Sequence, residues 1–297
     1  MVMILIVSTS DDLHALEVQR RLASYKSGVC SIIAVDRVGG EEVFSYRCPP
    51  NSKGNTFRNL DGDLINISDV GLLWLRRPNS EQSEIKAANP LAAEVINNEC
   101  RGALAGLLRC YFEGKWISDP EATHRASDKL YQLSAARKAG FRIPKTIVTQ
   151  RREEVRDFWH ENRGKIIVKS IVGADNQILL TRRVDDPDHF SADAFRSAPS
   201  MYQEFIDGVR HIRLHLFGQS AYAAQIITDA VDWRPDLTTS ISEWPVPEKV
   251  RATARLALDY LGLEMGIIDL KEDSDGIWSG SRSIHKGSSY TWTRCLI

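Results

Sequence analysis

Several features that often mark the class of a protein are missing from this sequence. No run of about 18 apolar residues occurs, and the opening MVMILIVSTSDD turns polar too soon for a signal peptide. We therefore expect a cytoplasmic protein without a membrane span. The five cysteines are odd in number and form no CxxC pair, which predicts reduced thiols. The seven histidines form no HExxH motif or Cys/His cluster, which argues against a zinc site.

An excess of charge of one sign is also missing. The chain has 38 Lys and Arg residues against 39 Asp and Glu residues, a formal net charge of −1. Such a balance gives no general attraction to nucleic acid or to an anionic membrane, so we expect neither as a partner. The arginine pairs at 76–77, 151–152 and 182–183 are interpreted as solvated surface.

Two common phosphate-binding motifs do not occur. No G-x-G-x-x-G follows the first apolar run, and no G-x-x-x-x-G-K-[ST] is present anywhere. Their absence argues against Rossmann dinucleotide binding and against P-loop chemistry, because both depend on a glycine-rich turn at the start of a helix.

The first part of the chain has a βαβ pattern. The apolar run MVMILIV, a helix preceded by the capping residues STSDD, and the run CSIIAV predict two parallel strands joined by a helix. VGLLWLRRP predicts a further strand, and a long helix is expected from about residue 81 to 112. We predict that this N-terminal domain covers residues 1–118.

Residues 119–297 have the pattern of two α+β pieces, which we place at 119–200 and 201–297. The first begins with a helix that puts Leu130 and Leu133 on one face and ends near Gly140. The strands KTIVT and GKIIVKS follow, and ILLTRRV is expected to pair back as a hairpin. The second piece contains the strands SMYQEFIDG, VRHIRLHLFG and SAYAAQIIT, a helix over 248–261, and the strand MGIIDLKED.

The strand VRHIRLHLF alternates strictly between apolar and cationic or aromatic polar residues. Its apolar face is Ile212, Leu214 and Leu216, and its polar face is His211, Arg213 and His215. A row of His, Arg and His is either an anion-facing wall or a solvated face, and the residues alone leave both open.

Three single ionisable residues stand beside apolar runs. Lys169 closes the run IIVK, and Lys129 stands where a helix begins. A lysine ammonium suits phosphate oxygens, although both side chains could instead extend to solvent. Asp269 ends the run MGII and needs a partner, either a cation such as Mg²⁺ or a structural hydrogen-bond donor.

Taken in this order, these pieces resemble the ATP-grasp superfamily over about residues 119–278. ASDKLYQLSAARKAGFRIPKTIVT is similar to the family's opening lysine, helix, Gly and Pro-x-Thr, and IIVKS to its second nucleotide lysine. YQEFI is similar to the adenine hinge, HIRL to the Asp/Glu-x-Arg strand, and LGLEMGIIDL to the first metal-ligand strand. LLWLRRP and DAVDWR resemble the peptide-modifying branch, which includes RimK-like enzymes and the microviridin-type (graspetide) maturases of ribosomal peptides.

The resemblance implies a fold class of α/β and α+β: an N-terminal βαβ (pre-ATP-grasp) domain followed by a two-part ATP-grasp domain. It implies ATP and Mg²⁺ as cofactors. Lys129 and Lys169 would contact the ATP phosphates, and Asp269 would bind Mg²⁺. Arg213 would stabilise the transferred phosphate and the acyl phosphate, and Arg234 would lie near the acceptor carboxylate.

The resemblance also implies an adenine site on the segment that begins at Gln203. The backbone of Glu204 and Ile206 would hold the base, with Phe205 between them. The family has an acid at the position of His211, which puts the ribose contact there in doubt. Asp207 could serve the ribose instead.

The implied reaction is activation of a carboxylate by ATP, followed by attack of an amine or hydroxyl on the acyl phosphate. The implied partner is a ribosomally made precursor peptide, joined within itself or to a side chain. Two alternatives stay open: a ligase of small amino-acid substrates, and an inactive remnant that binds peptide and nucleotide. The oligomeric state is also open, with a homodimer as one alternative.

The C-terminal stretch IWSGSRSIHKGSS departs from the family. The family has Glu-x-Asn metal ligands there, whereas the expected positions hold Arg282 and Ile284. Synonymous codons exist for residues 278–292 that, in another reading frame, encode VWLEVNPQGQFLYL. We therefore hypothesise a frameshift near Ile277. On this hypothesis, residues from about Ser279 onward give the strand 265–271 no regular partner, and the metal site is incomplete.

Overall fold

The computed structural model describes residues 2–25, 29–40, 44–49, 55–79, 82, 86–173, 179–233 and 239–273, together with the backbone of 278–280. The chain divides into two compact units, Met1–Pro120 and Glu121–Ile297. Within the described ranges, no helix combines the length and the apolar character that crossing a bilayer requires.

The first unit is built on a parallel sheet. Its described elements are β1 (Met3–Ser8), α1 (Leu13–Ser24), β2 (Val29–Ala34), β3 (Phe44–Ser45), β4 (Thr56–Arg58), β5 (Leu64–Asn66), β6 (Val70–Leu75), α2 (Pro90–Tyr111) and β7 (Lys115–Ile117). The main sheet has the order β2-β1-β6-β7 with every pair parallel, and β3-β4-β5 form a small antiparallel sheet. The predicted βαβ start of the chain is confirmed.

The long helix of the first unit begins later than the sequence predicts. The prediction placed its start near residue 81, but α2 begins at Pro90. The side chain of Asn89 accepts a hydrogen bond from the amide of Ala92 at 2.9 Å, and a proline is tolerated in the first helical turn because its missing N–H has no partner there. The capping residue followed by proline therefore marks the start of the helix, and the apolar pattern before it predicts too early a start.

The interpretation of the arginine pair at 76–77 as solvated surface is wrong for Arg76. Only 6% of this residue is exposed, and its Nε lies 2.6 Å from Oδ2 of Asp12, which also accepts from Ser8 Oγ at 2.5 Å. Burial raises the pKa of Asp12, but the hydrogen bonds from Arg76 and Ser8 outweigh it and hold that pKa below its ordinary value. The pair joins the end of β6 to the start of α1.

The second unit contains two sheets in its described part. Its elements are α3 (Pro120–Arg125), α4 (Lys129–Ala139), β8 (Thr146–Thr149), α5 (Arg152–Glu161), β9 (Ile166–Lys169), β10 (Arg182–Arg183), α6 (Ala192–Ser197), β11 (Ser200–Glu204), β12 (Arg210–Phe217), β13 (Ser220–Ile227), β14 (Ile241–Glu243), α7 (Glu248–Leu261), β15 (Met265–Glu272) and β16 (Trp278–Gly280). The sheet orders are β10-β9-β11-β8 and β14-β13-β12-β15-β16. The element types follow the sequence pattern, and α7 has the predicted bounds.

The larger sheet packs its apolar face against α4 and α7. Ile212, Leu214 and Leu216 of β12 are buried in this core, as the alternation predicts, together with Leu258 and Leu261 of α7. The apolar face expected for α4 is not its buried face. Leu130 is 45% exposed, whereas the buried residues of this helix are Gln132, Ala135 and Ala139. The close approach of α4 to α7 favours small side chains over leucine.

Two predictions for strands need correction. The hairpin partner of β9 is only the two residues of β10, paired as Arg182 with Val168 and Arg183 with Ile167. The expectation that nothing from Ser279 onward pairs with the last long strand is also wrong. β16 pairs antiparallel with β15, with Gly280 opposite Leu270 and Trp278 opposite Glu272. Strand pairing uses backbone groups, so a short partner forms without the family's side chains.

Candidate active site

A cleft in the second unit brings together most of the predicted nucleotide-binding residues. It encloses about 400 Å³ of space that is open to solvent, between the two sheets. Its lining includes the predicted residues Lys169, Gln203, Glu204, Phe205, Ile206 and His211, together with Pro144, Ile167, Thr181, Val231 and Lys271. The cleft therefore has an apolar wall, backbone from the end of β11, and cationic side chains, which is the composition that a small-molecule site requires.

The two predicted phosphate lysines meet at the end of β9. Lys169 is the last residue of this strand, and its Nζ donates to Oε1 of Gln203 at 2.6 Å. Lys129 begins α4, and its Nζ donates to the carbonyl oxygen of Ser170 at 2.6 Å. The ammonium group of Lys129 therefore binds the residue that follows Lys169, although the two lysines are 40 residues apart in the sequence. Neither lysine simply extends into solvent.

A buried glutamine fixes Lys169 relative to the neighbouring strands. Gln203 is 1% exposed, and its Nε2 donates to Oγ1 of Thr146 at 2.8 Å while its Oε1 accepts from Lys169. A buried amide needs partners for both its donor and its acceptor, and here β8 and β9 supply them. Thr146 is the threonine of the Pro-x-Thr motif, for which no role in the site was predicted.

Backbone hydrogen bonds fix the chain where β11 ends and the predicted adenine hinge begins. The amide of Glu204 donates to the carbonyl of Lys145, and the amide of Phe205 donates to the carbonyl of Lys165, both at 2.9 Å. Ile206 follows outside the strand and is 6% exposed. This geometry holds the backbone of the predicted adenine hinge along one wall of the cleft. Asp207, the alternative ribose contact, is exposed and accepts from Nζ of Lys165 at 2.5 Å.

The polar face of β12 is buried, which excludes the solvated-face alternative. His211, Arg213 and His215 are 5%, 8% and 7% exposed. Arg213 lies opposite Asp269 of β15, and its Nε is 3.8 Å from Oδ1 of Asp269, which is 6% exposed. The Cζ of Arg213 also lies 5.4 Å from the centroid of the Trp233 ring. One guanidinium and one carboxylate therefore share a shielded position.

His215 is neutral over most of the accessible pH range. Burial and, to a smaller extent, the nearby Arg213 lower its pKa to about 4, although Asp269 opposes the shift. A neutral imidazole beside a guanidinium adds hydrogen-bonding capacity to this face without adding positive charge.

Several predicted features lie outside the described residues. Arg234, expected near an acceptor carboxylate, is one of them, as are Arg282 and Ile284, where the Glu-x-Asn ligands were expected. Their roles and the frameshift hypothesis stay predictions. Over the described ranges, no group of three or more His, Cys, Asp or Glu side chains is arranged to hold a metal ion.

Lys271 is the main residue of the cleft that sequence reasoning missed. It is 6% exposed, lies opposite His211 across the strand pair, and places Nζ 4.6 Å from the centroid of the Phe205 ring. Arg183 lies over the same ring, with its Cζ at 4.1 Å. The signal was present, because residues two apart on a strand share a face and Lys271 follows Asp269 by two.

Comparison with known proteins identifies the fold. No protein-family model matches the sequence. The macrocyclase MdnC from Microcystis aeruginosa MRC, solved with its precursor peptide MdnA, is 20% identical with a TM-score of 0.82, over 98% of this chain and 93% of MdnC. The chain has the ATP-grasp fold.

Other ATP-grasp ligases show the same likeness. A RiPP-associated ligase from Chryseobacterium gregarium, in complex with ADP and with a leader and core peptide, is 20% identical with a TM-score of 0.80, over 99% of this chain and 91% of that one. PsnB, complexed with a minimal precursor, Mg and ADP, is 20% identical with a TM-score of 0.72, over 97% and 90% of the two chains.

A curated relative agrees with this assignment. The α-aminoadipate–LysW ligase LysX of Sulfurisphaera tokodaii is 24% identical over 195 residues, which cover 61% of this chain and 68% of LysX. The predicted fold class, a βαβ domain followed by a two-part ATP-grasp domain, is confirmed.

Proposed function

We propose that this protein is an ATP-dependent ligase that activates a carboxylate of a ribosomally made peptide and joins it to an amine or hydroxyl. The observation that carries the proposal is the cleft, which is lined by the backbone hinge, Lys169 and His211. Lys129 reaches the residue after Lys169, and the buried Arg213–Asp269 pair lies on the strands β12 and β15 that bring His211 to the cleft. The peptide substrate is supported by the likeness to MdnC and the Chryseobacterium ligase, both solved with peptides.

Each part of the cleft suits one part of ATP. The backbone after Glu204 would take the adenine, and the ammonium groups of Lys129 and Lys169 would bind phosphate oxygens as point charges. Asp207 directly follows the hinge in the sequence and could reach the ribose, whereas the buried His211 would contact it as a hydrogen-bond donor. These assignments rest on the resemblance and on the grouping of the residues.

The described residues fit Mg²⁺ in part. Mg²⁺ is usually held by one or two carboxylates together with substrate phosphates, and Asp269 is a carboxylate in a suitable place. When bound, Mg²⁺ would neutralise phosphate charge. Asp269 lies 3.8 Å from the guanidinium of Arg213, so the carboxylate is already held on the face where the phosphates would lie.

Arg213 would act on the reacting groups. Phosphoryl transfer to a carboxylate gathers negative charge on the transferred oxygens, and a fixed cation in a shielded position stabilises it. The guanidinium lies 5.4 Å from the centroid of the Trp233 ring, and its Nε lies 3.8 Å from the carboxylate of Asp269. An amine or hydroxyl then attacks the acyl phosphate, loses its proton and displaces phosphate, which carries away one oxygen of the original carboxylate. The joined groups therefore lose the mass of one water for each new bond, and the other products are ADP and phosphate.

The test is incubation with ATP, Mg²⁺ and either acidic peptides or free amino acids. The proposal predicts peptide-dependent ADP release and a peptide that has lost the mass of one water for each bond. ADP release with free amino acids alone would favour a small-molecule ligase. Nucleotide binding without turnover would favour an inactive binding protein.

A further inference from the structure

One buried cation of the cleft has no part in the proposed function so far. Lys271 is 6% exposed and lines the cleft. β12 and β15 pair Lys271 with His211 and, two residues further on, Asp269 with Arg213. Residues paired across antiparallel strands project from the same face, so these four side chains form two successive rows on one face of the sheet.

The order of the rows places Lys271 between the hinge and the Arg–Asp pair. Its Nζ is 4.6 Å from the ring centroid of Phe205, which belongs to the hinge. Asp269 is two residues away, a distance of about 6.7 Å along a strand. Consider a nucleotide with its base on the hinge and its terminal phosphates near Asp269. Its ribose and α-phosphate would then lie beside Lys271.

The charge on this face favours an anion at that point. The ring of Phe205, which lines the cleft, is approached by the ammonium of Lys271 at 4.6 Å and by the guanidinium of Arg183 at 4.1 Å. Both cations therefore stand beside the hinge, and a lysine ammonium on the wall of the cleft suits a phosphate oxygen.

We propose that Lys271 is a third nucleotide-binding cation, which contacts the α-phosphate of an adenine nucleotide. This assignment rests on the proposed function. It differs from the roles of Lys129 and Lys169, because a residue that contacts the α-phosphate affects AMP and ADP alike. A residue that contacts the β-phosphate affects ADP and ATP and leaves AMP unchanged, and one that contacts only the γ-phosphate affects ATP alone.

The experiment is titration calorimetry of the full chain with adenosine, AMP and ADP in the presence of Mg²⁺. The variants are Lys271→Met, Lys271→Arg and, as a matched control on the exposed side of α4, Lys138→Met. Loss of one charged hydrogen bond predicts that Lys271→Met weakens AMP and ADP by the same factor, roughly 10- to 100-fold. Adenosine affinity should not change, and Lys271→Arg should keep most of the AMP and ADP affinity.

The quantity that decides the outcome is the ratio of ADP affinity to adenosine affinity, measured on one sample of each variant. Partial unfolding lowers both apparent affinities by the same factor, so it does not change this ratio. An unchanged ratio in Lys271→Met would overturn the inference: Lys271 would then act only through the ring of Phe205 or through folding. A loss for ADP with AMP unchanged would also overturn it. If wild-type protein binds no ADP at all, the proposed function itself fails, and this inference fails with it.

Discussion

At the residue scale, Arg213 and Asp269 form a buried ion pair whose stability contribution depends on both partners. They face each other at 3.8 Å, and each is less than a tenth exposed. Removing one member of such a pair leaves the other charge buried with less compensation, whereas removing both charges together is often close to neutral. The pair can therefore be tested through stability, without any assay of activity.

We predict that Arg213→Met lowers the free energy of unfolding by on the order of 3 kcal/mol in urea denaturation, and that adding Asp269→Asn recovers part of the loss. The control is Arg210→Met on the same strand, where a half-exposed guanidinium pairs with Glu272 at 2.8 Å. An exposed pair of that kind contributes about 0 to 1 kcal/mol. Equal losses for Arg213→Met and Arg210→Met would contradict the account of the buried pair.

A second residue-scale prediction concerns the pH dependence of stability. The pKa of His215 is lowered from 6.5 to about 4, first by burial and then by Arg213. The unfolded chain therefore binds more protons than the folded one between pH 6.5 and 4. The contribution of His215 to stability is fully present above pH 6.5 and is lost as the pH falls toward 4.

Replacing His215 by Gln should make stability less dependent on pH. The change in the free energy of unfolding between pH 6.5 and 4 should be smaller by about 3 kcal/mol. Denaturation at several pH values measures the slope. His124→Gln, at an exposed position of α3, is the control and should leave the slope unchanged. A slope that survives His215→Gln would show that other groups cause it.

At the scale of elements, the turn between the hinge and β12 is held close to the end of β15. Gly208 has φ +146°, and a Cβ built there would lie 2.1 Å from the carbonyl oxygen of Glu272. Real side chains do not tolerate that distance to backbone, so only glycine fits without movement. The turn thereby fixes how the hinge segment meets the sheet that carries Asp269.

We predict that Gly208→Ala is more destabilising than Gly218→Ala. Gly218 also has a positive φ, +57°, but nothing lies within 4 Å of a Cβ there. Gly218→Ala should therefore lower the free energy of unfolding by about 1 kcal/mol through backbone strain. Gly208→Ala should cause the same strain and should also displace the backbone near Glu272, so its loss of stability should be larger. Thermal unfolding and ADP titration of the two variants make the comparison. Equal effects would mean that the close approach at Glu272 has no consequence.

The elements also show what the sequence could and could not predict. The alternation of β12 and the bounds of α7 follow from local periodicity, so both were predicted. The buried face of α4 was not predicted. Small residues are buried where two helices approach each other closely, whereas Leu130 stays largely exposed. The burial of Arg76 was missed for a related reason: its partner Asp12 is 64 residues away, and no local pattern reports a distant ion pair. Lys271 was missed although its spacing from Asp269 was visible.

At the scale of the whole molecule, the likeness to solved ATP-grasp ligases covers nearly all of the chain, whereas the completeness of the metal site rests on the frameshift hypothesis. We predict that sequencing the gene across codons 270–297 will show a lost or added nucleotide near codon 277. Restoring the frame, with Glu and Asn at or next to positions 282 and 284, should raise peptide-dependent ADP release above that of the 297-residue chain. If the gene sequence is confirmed and the 297-residue chain already releases ADP as fast as the frame-restored protein, the hypothesis is wrong.

The most direct test of the central claim is the affinity of the full chain for ATP with Mg²⁺, measured by titration calorimetry before and after Lys169→Ala. The lysine reaches the cleft and is held by Gln203 at 2.6 Å. Losing one hydrogen bond to a charged group should weaken ATP binding by about 1.5 to 3 kcal/mol. Lys138→Ala, at the exposed side of α4, should leave it unchanged. The account predicts one nucleotide bound per chain and this loss; an ATP affinity that Lys169→Ala leaves unchanged would contradict it.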